Sequence, residues 1–196
     1  MKTLLIDYGS GNIRSAAKAL EASGLEVLVS ADPLKVRGQD LLVLPGQGHF
    51  RQVMEAFAAS GFAEPLCEHI AAGKPFVGIC VGMQILFEAS DEAPNLPGLG
   101  LIAGTVRRFK AKNVPQMGWN TVQFSGAFTR LNGQHFYYAN SYYGPLVEGS
   151  VGISTYGGTA FTAAYARDNI VAPQFHPEKS GGAGLAFLAE LKGYFG

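Results

Sequence analysis

Cysteine is scarce, with 2 in 196 residues, too few for the disulfide framework that staples small secreted folds. Isolated thiols fit a reducing compartment, so a cytoplasmic location is expected. Charge is scarce too: 15% of residues are Asp, Glu, Lys or Arg, and 15 bases balance 15 acids. A nucleic-acid binder needs a cationic surface to displace counterions, and no surplus exists to build one. A net charge of zero mildly favours life in complex with something else. The longest apolar run, residues 76–83, falls far short of the roughly 20 residues that span a bilayer. The first residues, Met1-Lys2-Thr3-Leu4-Leu5-Ile6-Asp7, lack the apolar stretch of a signal peptide. Neither nucleic acid nor membrane is therefore expected as a partner. No repeat, charge block or Pro- or Ser-rich linker divides the chain, which reads as one domain over residues 1–196.

Glycine is what the sequence has in abundance. Its 26 residues are roughly twice the ordinary usage of about 7%, with no period, so they mark individual turns and close backbone approaches. Up to about residue 90, short apolar runs at 3–6, 26–29, 40–44 and 75–79 alternate with helical patterns at 13–22, 50–60, 62–72 and 82–89. Strands of that kind are expected to be buried on both faces, in a parallel sheet with helices on either side. From about residue 99 to 175, β-prone pieces recur at 101–109, 121–124, 135–139, 152–156, 161–165 and 170–174, with a last helix at 184–191. The expected fold is α/β: a central, mostly parallel sheet flanked by helices, with an added antiparallel or mixed β region in the C-terminal half.

The strongest local chemical signal is Gly78-Ile79-Cys80-Val81-Gly82-Met83-Gln84 after a buried strand. It has the form of a nucleophile elbow with Cys in place of Ser. The turn exposes its central side chain, the glycines remove clashing Cβ atoms, and the helix N-terminus favours a thiolate. The Val81 N–H would be free for an oxyanion. The alternative is a small buried cysteine in a core strand. A thiol nucleophile needs a base, and His176 follows a β-prone run with Glu178 two residues on, on the same side of an extended chain. That carboxylate can orient the imidazole; the alternative is a surface histidine with a chance acid nearby. His49, His69 and His135 have no such neighbour in sequence. Cys67-x-His69 is half a metal site with no second half, so no metal is expected.

Leu44-Pro45-Gly46-Gln47-Gly48 is another strand-to-helix turn, placed by a parallel sheet on the same edge as Cys80 and able to offer a second N–H; a plain tight connection needs the same glycines. Asp7-Tyr8-Gly9-Ser10-Gly11-Asn12 begins like a dinucleotide fingerprint, but Arg14 occupies the third glycine position. No Walker sequence is present. No cofactor is expected. Tyrosines crowd residues 136–143, more like a surface that meets a ligand or protein than an ordinary strand. Met117-Gly118-Trp119-Asn120 reads as a glycine-containing turn carrying the only Trp, which is either functional or structural.

Taken in order, these segments resemble the class I (triad) glutamine amidotransferases, whose marks are the elbow Cys and a C-terminal His-Pro-Glu. Asp7–Asn12, Pro45-Gly46-x-Gly48, residues 78–84, Pro115-x-Met117-Gly118-Trp119-Asn120 and Gln174-Phe175-His176-Pro177-Glu178-Lys179-Ser180 resemble more closely the glutaminase-subunit branch serving imidazole glycerol phosphate synthase in histidine biosynthesis. The resemblance implies hydrolysis of L-glutamine by Cys80, His176 and Glu178, with Gly46, Gln47, Gly48 and Val81 forming the oxyanion hole. It further implies substrate contacts from Gln84, Glu92, Ser141 and Tyr142, and a heterodimer with a (βα)8-barrel cyclase subunit that receives the ammonia. Asn12, Trp119, Tyr137 and Lys179 are then expected on the docking face. Gln47 stands where the family more often has Val, and Gln116 and Asn140 where it frequently has His. Because the oxyanion turn is expected to need the partner to set it, activity should be weak alone and raised by the cyclase. The same triad marks fit glutaminase components for anthranilate or pyridoxal phosphate synthesis, a γ-glutamyl hydrolase, or a non-catalytic module that kept the fold.

Overall fold

The protein's computed structural model describes residues 1–9 and 12–196; Ser10 and Gly11, within the Asp7–Asn12 motif, lie outside them. Strands β1 (Lys2–Ile6), β2 (Glu26–Ser30), β3 (Leu41–Leu44) and β4 (Phe76–Gly78) alternate with helices α1 (Ile13–Ala22), α2 (Phe50–Ala59) and α3 (Ala63–Ala71). After β4 come the one-turn helix α4 (Val81–Gln84) and strands β5 (Phe87–Ser90), β6 (Ile102–Arg108), β7 (Gln116–Thr121), β8 (Gln123–Phe124), β9 (His135–Asn140) and β10 (Tyr142–Tyr143). Strands β11 (Ser150–Tyr156), β12 (Thr159–Arg167) and β13 (Ile170–Pro173) precede the final helix α5 (Gly181–Phe195).

The main sheet has eight strands in the order β2-β1-β3-β4-β13-β12-β11-β8. It is parallel from β2 through β13 and antiparallel beyond. The expected architecture is therefore present: β12, β11 and β8 extend the same sheet, while β10-β6-β5 and β7-β9 form two smaller sheets. Leu41–Leu44 and Phe76–Gly78 are buried at every position, as strands covered on both faces must be. The first strand of the sheet departs from that expectation. Among the described residues β2 pairs only with β1, so it is an edge, and Leu28 and Val29 stay 41% and 40% exposed.

Two further differences have causes in distant parts of the chain. The helical pattern at 82–89 gives only one turn before the chain enters β5. The carbonyls of Ile85 and Leu86, which a longer helix would need, accept the N–H groups of Leu99, Leu101 and Ile102. Residues 117–120 form part of β7 and not a turn. Gly118 takes a positive φ of 123° without breaking the ladder to β9. The tyrosine-rich stretch divides by strand alternation. Tyr138 is in the core with its hydroxyl 2.8 Å from Ser154 Oγ. Tyr143 stacks on Phe109 at 4.5 Å between ring centroids. Tyr137 and Tyr142 remain half-buried.

Candidate active site

The ends of β3, β4 and β13 meet at one edge of the main sheet, and the site is built there. Cys80 sits between β4 and α4 with φ 56° and ψ −109°, a conformation an L-residue adopts only under constraint from its surroundings. The constraint is visible. The Cys80 N–H donates to Pro173 O on β13 at 2.8 Å, and the Ile79 N–H to Leu44 O on β3 at 2.9 Å. Glycine is required around the turn because main chain is pressed on main chain. A Cβ on Gly46 would lie 2.3 Å from Gly82 N, one on Gly82 2.2 Å from Leu44 O, and one on Gly78 2.6 Å from Gly82 O. The Pro45–Gly46 turn is thus packed directly behind the elbow, and the Tyr8 hydroxyl fixes its start by donating to Pro45 O at 2.8 Å.

A cleft of about 410 Å³ opens over this edge. Cys80 is buried among its neighbours, yet it lines the cleft, as do Gln47, Gly48, Val81 and His176. Val81 is the first residue of α4, so its N–H has no acceptor within the helix. Gly46 lies behind the wall. Gln84, Glu92, Ser141, Tyr142 and Lys179 complete most of the lining.

His176 reaches the cleft from just beyond β13. Its backbone N–H donates to Tyr137 O at 2.9 Å. Ser180 Oγ donates to His176 O at 2.6 Å and accepts the Tyr137 N–H at 2.9 Å, so the turn is tied to β9. Phe175, between Gln174 and His176, is anchored in the core against Phe136 with ring centroids 4.1 Å apart. Alternation along this extended stretch then sends Gln174 and His176 to the same side. His176 Nδ1 lies 2.8 Å from Glu178 Oε1, with both side chains nearly inaccessible. Burial by itself would lower the imidazole pKa. The negative sulfur of Cys80, hydrogen-bonded to the ring, and the Glu178 carboxylate overcome it, and the value rises from 6.5 to about 10.

The remaining histidines are placed differently. His49 does have a carboxylate beside it: its Nε2 is 3.9 Å from Glu92 Oε1, while its Nδ1 accepts the Arg51 N–H and caps α2. Glu92 also accepts the Phe50 N–H at 2.7 Å, so it supports the start of α2 as well as lining the cleft. His69 is buried with Nε2 3.0 Å from Pro75 O, and Cys67 is exposed, so the two diverge. His135 is an exposed residue at the start of β9.

Beside the cleft, Met117 and Trp119 are 69% and 58% exposed. Trp119 packs edge-on to Tyr137, and Lys179 Nζ stands 6.0 Å from the centre of the Tyr137 ring. Asn12 stands at the N-cap position of α1, without a side-chain capping hydrogen bond among the described residues, and that helix packs against the Pro177–Lys179 turn. Gln116 is buried on β7 opposite Asn140, and neither end of its amide has a hydrogen-bond partner among the described residues.

Residues 4–191 match the family model of glutamine amidotransferase class-I. The chain belongs to the class I glutamine amidotransferase family. Within the family it is similar to the imidazole glycerol phosphate synthase subunit HisH of Thermus thermophilus, at 64% identity over all of this chain and 98% of the relative. It is also 44% identical to the imidazole glycerol phosphate synthase hisHF of Emericella nidulans, with 94% of this chain covering 36% of that longer protein. Among solved structures, PurLQS from Thermotoga maritima contains a chain of the same fold, with TM-score 0.74 and 20% identity over 100% of both chains. Within the matched residues, Cys80 and Val81 of the elbow and His176 and Lys179 beyond β13 converge on the cleft described above. No helix among the described residues is long and apolar enough to cross a membrane.

One residue beside the Cys80 sulfur is not marked as a site candidate by the sequence. Gln174 is fully buried and directs its Nε2 at Cys80 Sγ, 3.7 Å away. The two-residue spacing that pairs His176 with Glu178 also pairs Gln174 with His176, and that was the available signal.

Proposed function

We propose that this chain hydrolyses L-glutamine to glutamate and ammonia as the glutaminase subunit of an imidazole glycerol phosphate synthase. The observation that carries the reading is the linked set of Cys80 and His176, in a cleft large enough for an amino acid, with Glu178 behind the imidazole. His176 rests as the imidazolium, its pKa raised by the sulfur and the carboxylate beside it. The Cys80 thiolate attacks the side-chain carboxamide carbon, and the oxygen becomes an oxyanion that accepts the Val81 N–H and an N–H of the Gly46-Gln47-Gly48 turn. His176 gives its proton to the departing nitrogen, ammonia leaves, and a glutamyl thioester remains on Cys80. Neutral His176 then takes a proton from water as it attacks the thioester. Glutamate departs, and the thiolate–imidazolium pair is restored. Glu178 holds the ring in one tautomer and supports its positive form.

Glu92 offers a carboxylate to the substrate ammonium, and Ser141 and Tyr142 line the same end. Gln84 uses its Nε2 on Tyr142 O and Gln174 Oε1, each at 3.0 Å, so what it offers glutamine is an acceptor. The exposed Met117 and Trp119 and the half-buried Tyr137 and Lys179 beside the cleft support a docking face for a (βα)8-barrel cyclase subunit, with Asn12 at its edge. Ammonia would pass there directly, since in bulk water it is protonated and lost. The longer fungal relative, of which this chain matches about a third (36%), supports a partner of that kind. The cytoplasm is the proposed location.

A glutaminase assay with and without the cyclase subunit and its nucleotide substrate tests the reading. Glutamate release that requires Cys80 and rises with the cyclase supports it. No release under either condition, or equal release under both, overturns the catalytic or the regulatory part respectively.

A further inference from the structure

We infer that Gln174 is a catalytic residue of this site: its side-chain amide donates a hydrogen bond to the Cys80 sulfur and holds it as a correctly aimed thiolate. The inference rests on Cys80 being the nucleophile and extends that reading by one residue.

The direction of the hydrogen bond follows from the chain of amides behind it. Tyr142 O is a backbone carbonyl and can only accept. It lies 3.0 Å from the side-chain nitrogen of Gln84 and 2.8 Å from that of Asn140. With Gln84 Nε2 turned toward that carbonyl, its second hydrogen points at Gln174 Oε1, also at 3.0 Å. An amide whose oxygen is taken up in this way must present its nitrogen on the other side, and there it meets Cys80 Sγ at 3.7 Å. A main-chain carbonyl thus sets the polarity of two buried side chains in series, and the sulfur receives an N–H.

A donor aimed at sulfur favours the charged form, because a thiolate accepts a hydrogen bond far better than a thiol does. Gln174 is fully buried, and Phe175 beside it is locked in the aromatic core, so the amide has little freedom to turn away. Among the described residues that line the cleft with Cys80, the charged or titratable side chains are His176, Glu92, Lys179 and Tyr142. His176 touches the sulfur, and Glu178 lies behind its ring. Gln174 differs from all of these in being neutral, so its contribution does not titrate away.

The test is the pH dependence of Cys80 alkylation by iodoacetamide, in full-length protein carrying Cys67→Ser so that only Cys80 reacts. This readout needs neither glutamine nor the cyclase, so it fails or succeeds separately from the glutaminase assay. Gln174→Met removes the donor at similar size and should move the alkylation midpoint upward by about one pH unit. Gln174→Glu places a carboxylate against the sulfur and should move it further. In glutamine hydrolysis, Gln174→Met should lower kcat about tenfold or more with little change in KM. A folded Gln174→Met protein with an unshifted midpoint overturns the assignment. If neither variant folds, the unsubstituted side chain decides: its Nε2 proton resonances should titrate with the Cys80 midpoint and lose that response on alkylation. Resonances indifferent to both overturn it equally.

Discussion

On the parallel side of the cleft, the groups around Cys80 act through the main chain. The elbow is held by the Cys80 and Ile79 N–H bonds to neighbouring strands, the Val81 N–H is left free by helix geometry, and glycines 46, 78 and 82 let three backbone segments touch. On the far side of β13, the groups act through side chains: an imidazole, a carboxylate and a series of carboxamides whose directions depend on one another. Main-chain geometry tolerates many side chains and few Cβ atoms at the wrong place. A side-chain network tolerates backbone adjustment but not the exchange of a donor for an acceptor. The two halves of one site should therefore fail differently.

The largest expected effect is on the sulfur where they meet. Cys80→Ala should reduce glutamate release by roughly 10⁴-fold or more. It should also let burial dominate at His176, whose pKa, measured by NMR, should fall from about 10. The raised value means that the pair stabilises the fold fully below the ordinary 6.5 and loses that contribution as pH climbs through about 10. Thermal unfolding between pH 7 and 10 should thus be more pH-dependent in the parent than in Cys80→Ala.

Next comes Glu178→Gln, which keeps shape and removes charge. It should lower kcat by about 10²–10⁴-fold with KM nearly unchanged, and urea denaturation should show the fold intact. Gly46→Ala should do the reverse on the backbone side. Its Cβ would sit 2.3 Å from Gly82 N, and overpacking of this kind destabilises by about 1–3 kcal/mol, visible in the urea midpoint. If Gly46→Ala left stability untouched, the distinction between the two sides would collapse.

Smaller effects lie away from the cleft floor. Trp119→Ala should leave glutaminase activity of the isolated chain as it is while weakening cyclase binding by about 2 kcal/mol, as loss of an exposed aromatic anchor does; calorimetric titration reads it. Gln116→Met replaces a buried amide without protein partners and should raise the melting temperature by about 2–4 °C.

Much of the parallel half was legible because its signals are local. The pattern at 13–22 matches α1 residue for residue, and the glycines around Cys80 mark an elbow that the backbone does form. What was illegible depended on partners far along the chain. The run after Gln84 has helical spacing, but residues 99–102 take its carbonyls, which no local pattern announces. Trp119 looked like a turn residue until Tyr137 was placed opposite it in β9. The pairing of His176 with Glu178 was readable from their spacing, whereas the direction of the Gln174 amide could be fixed only by a carbonyl at Tyr142.

The place of β13 between β4 and β12 carries a consequence for synthesis of the chain. The elbow emerges from the ribosome long before the strand that must slide in beside it. Until then Cys80 has no Pro173 carbonyl to fix its backbone and no imidazole beside its sulfur. A half-made copy therefore lacks the groups that surround its sulfur, and the cleft is complete only when the last seventh or so of the polypeptide closes the central layer.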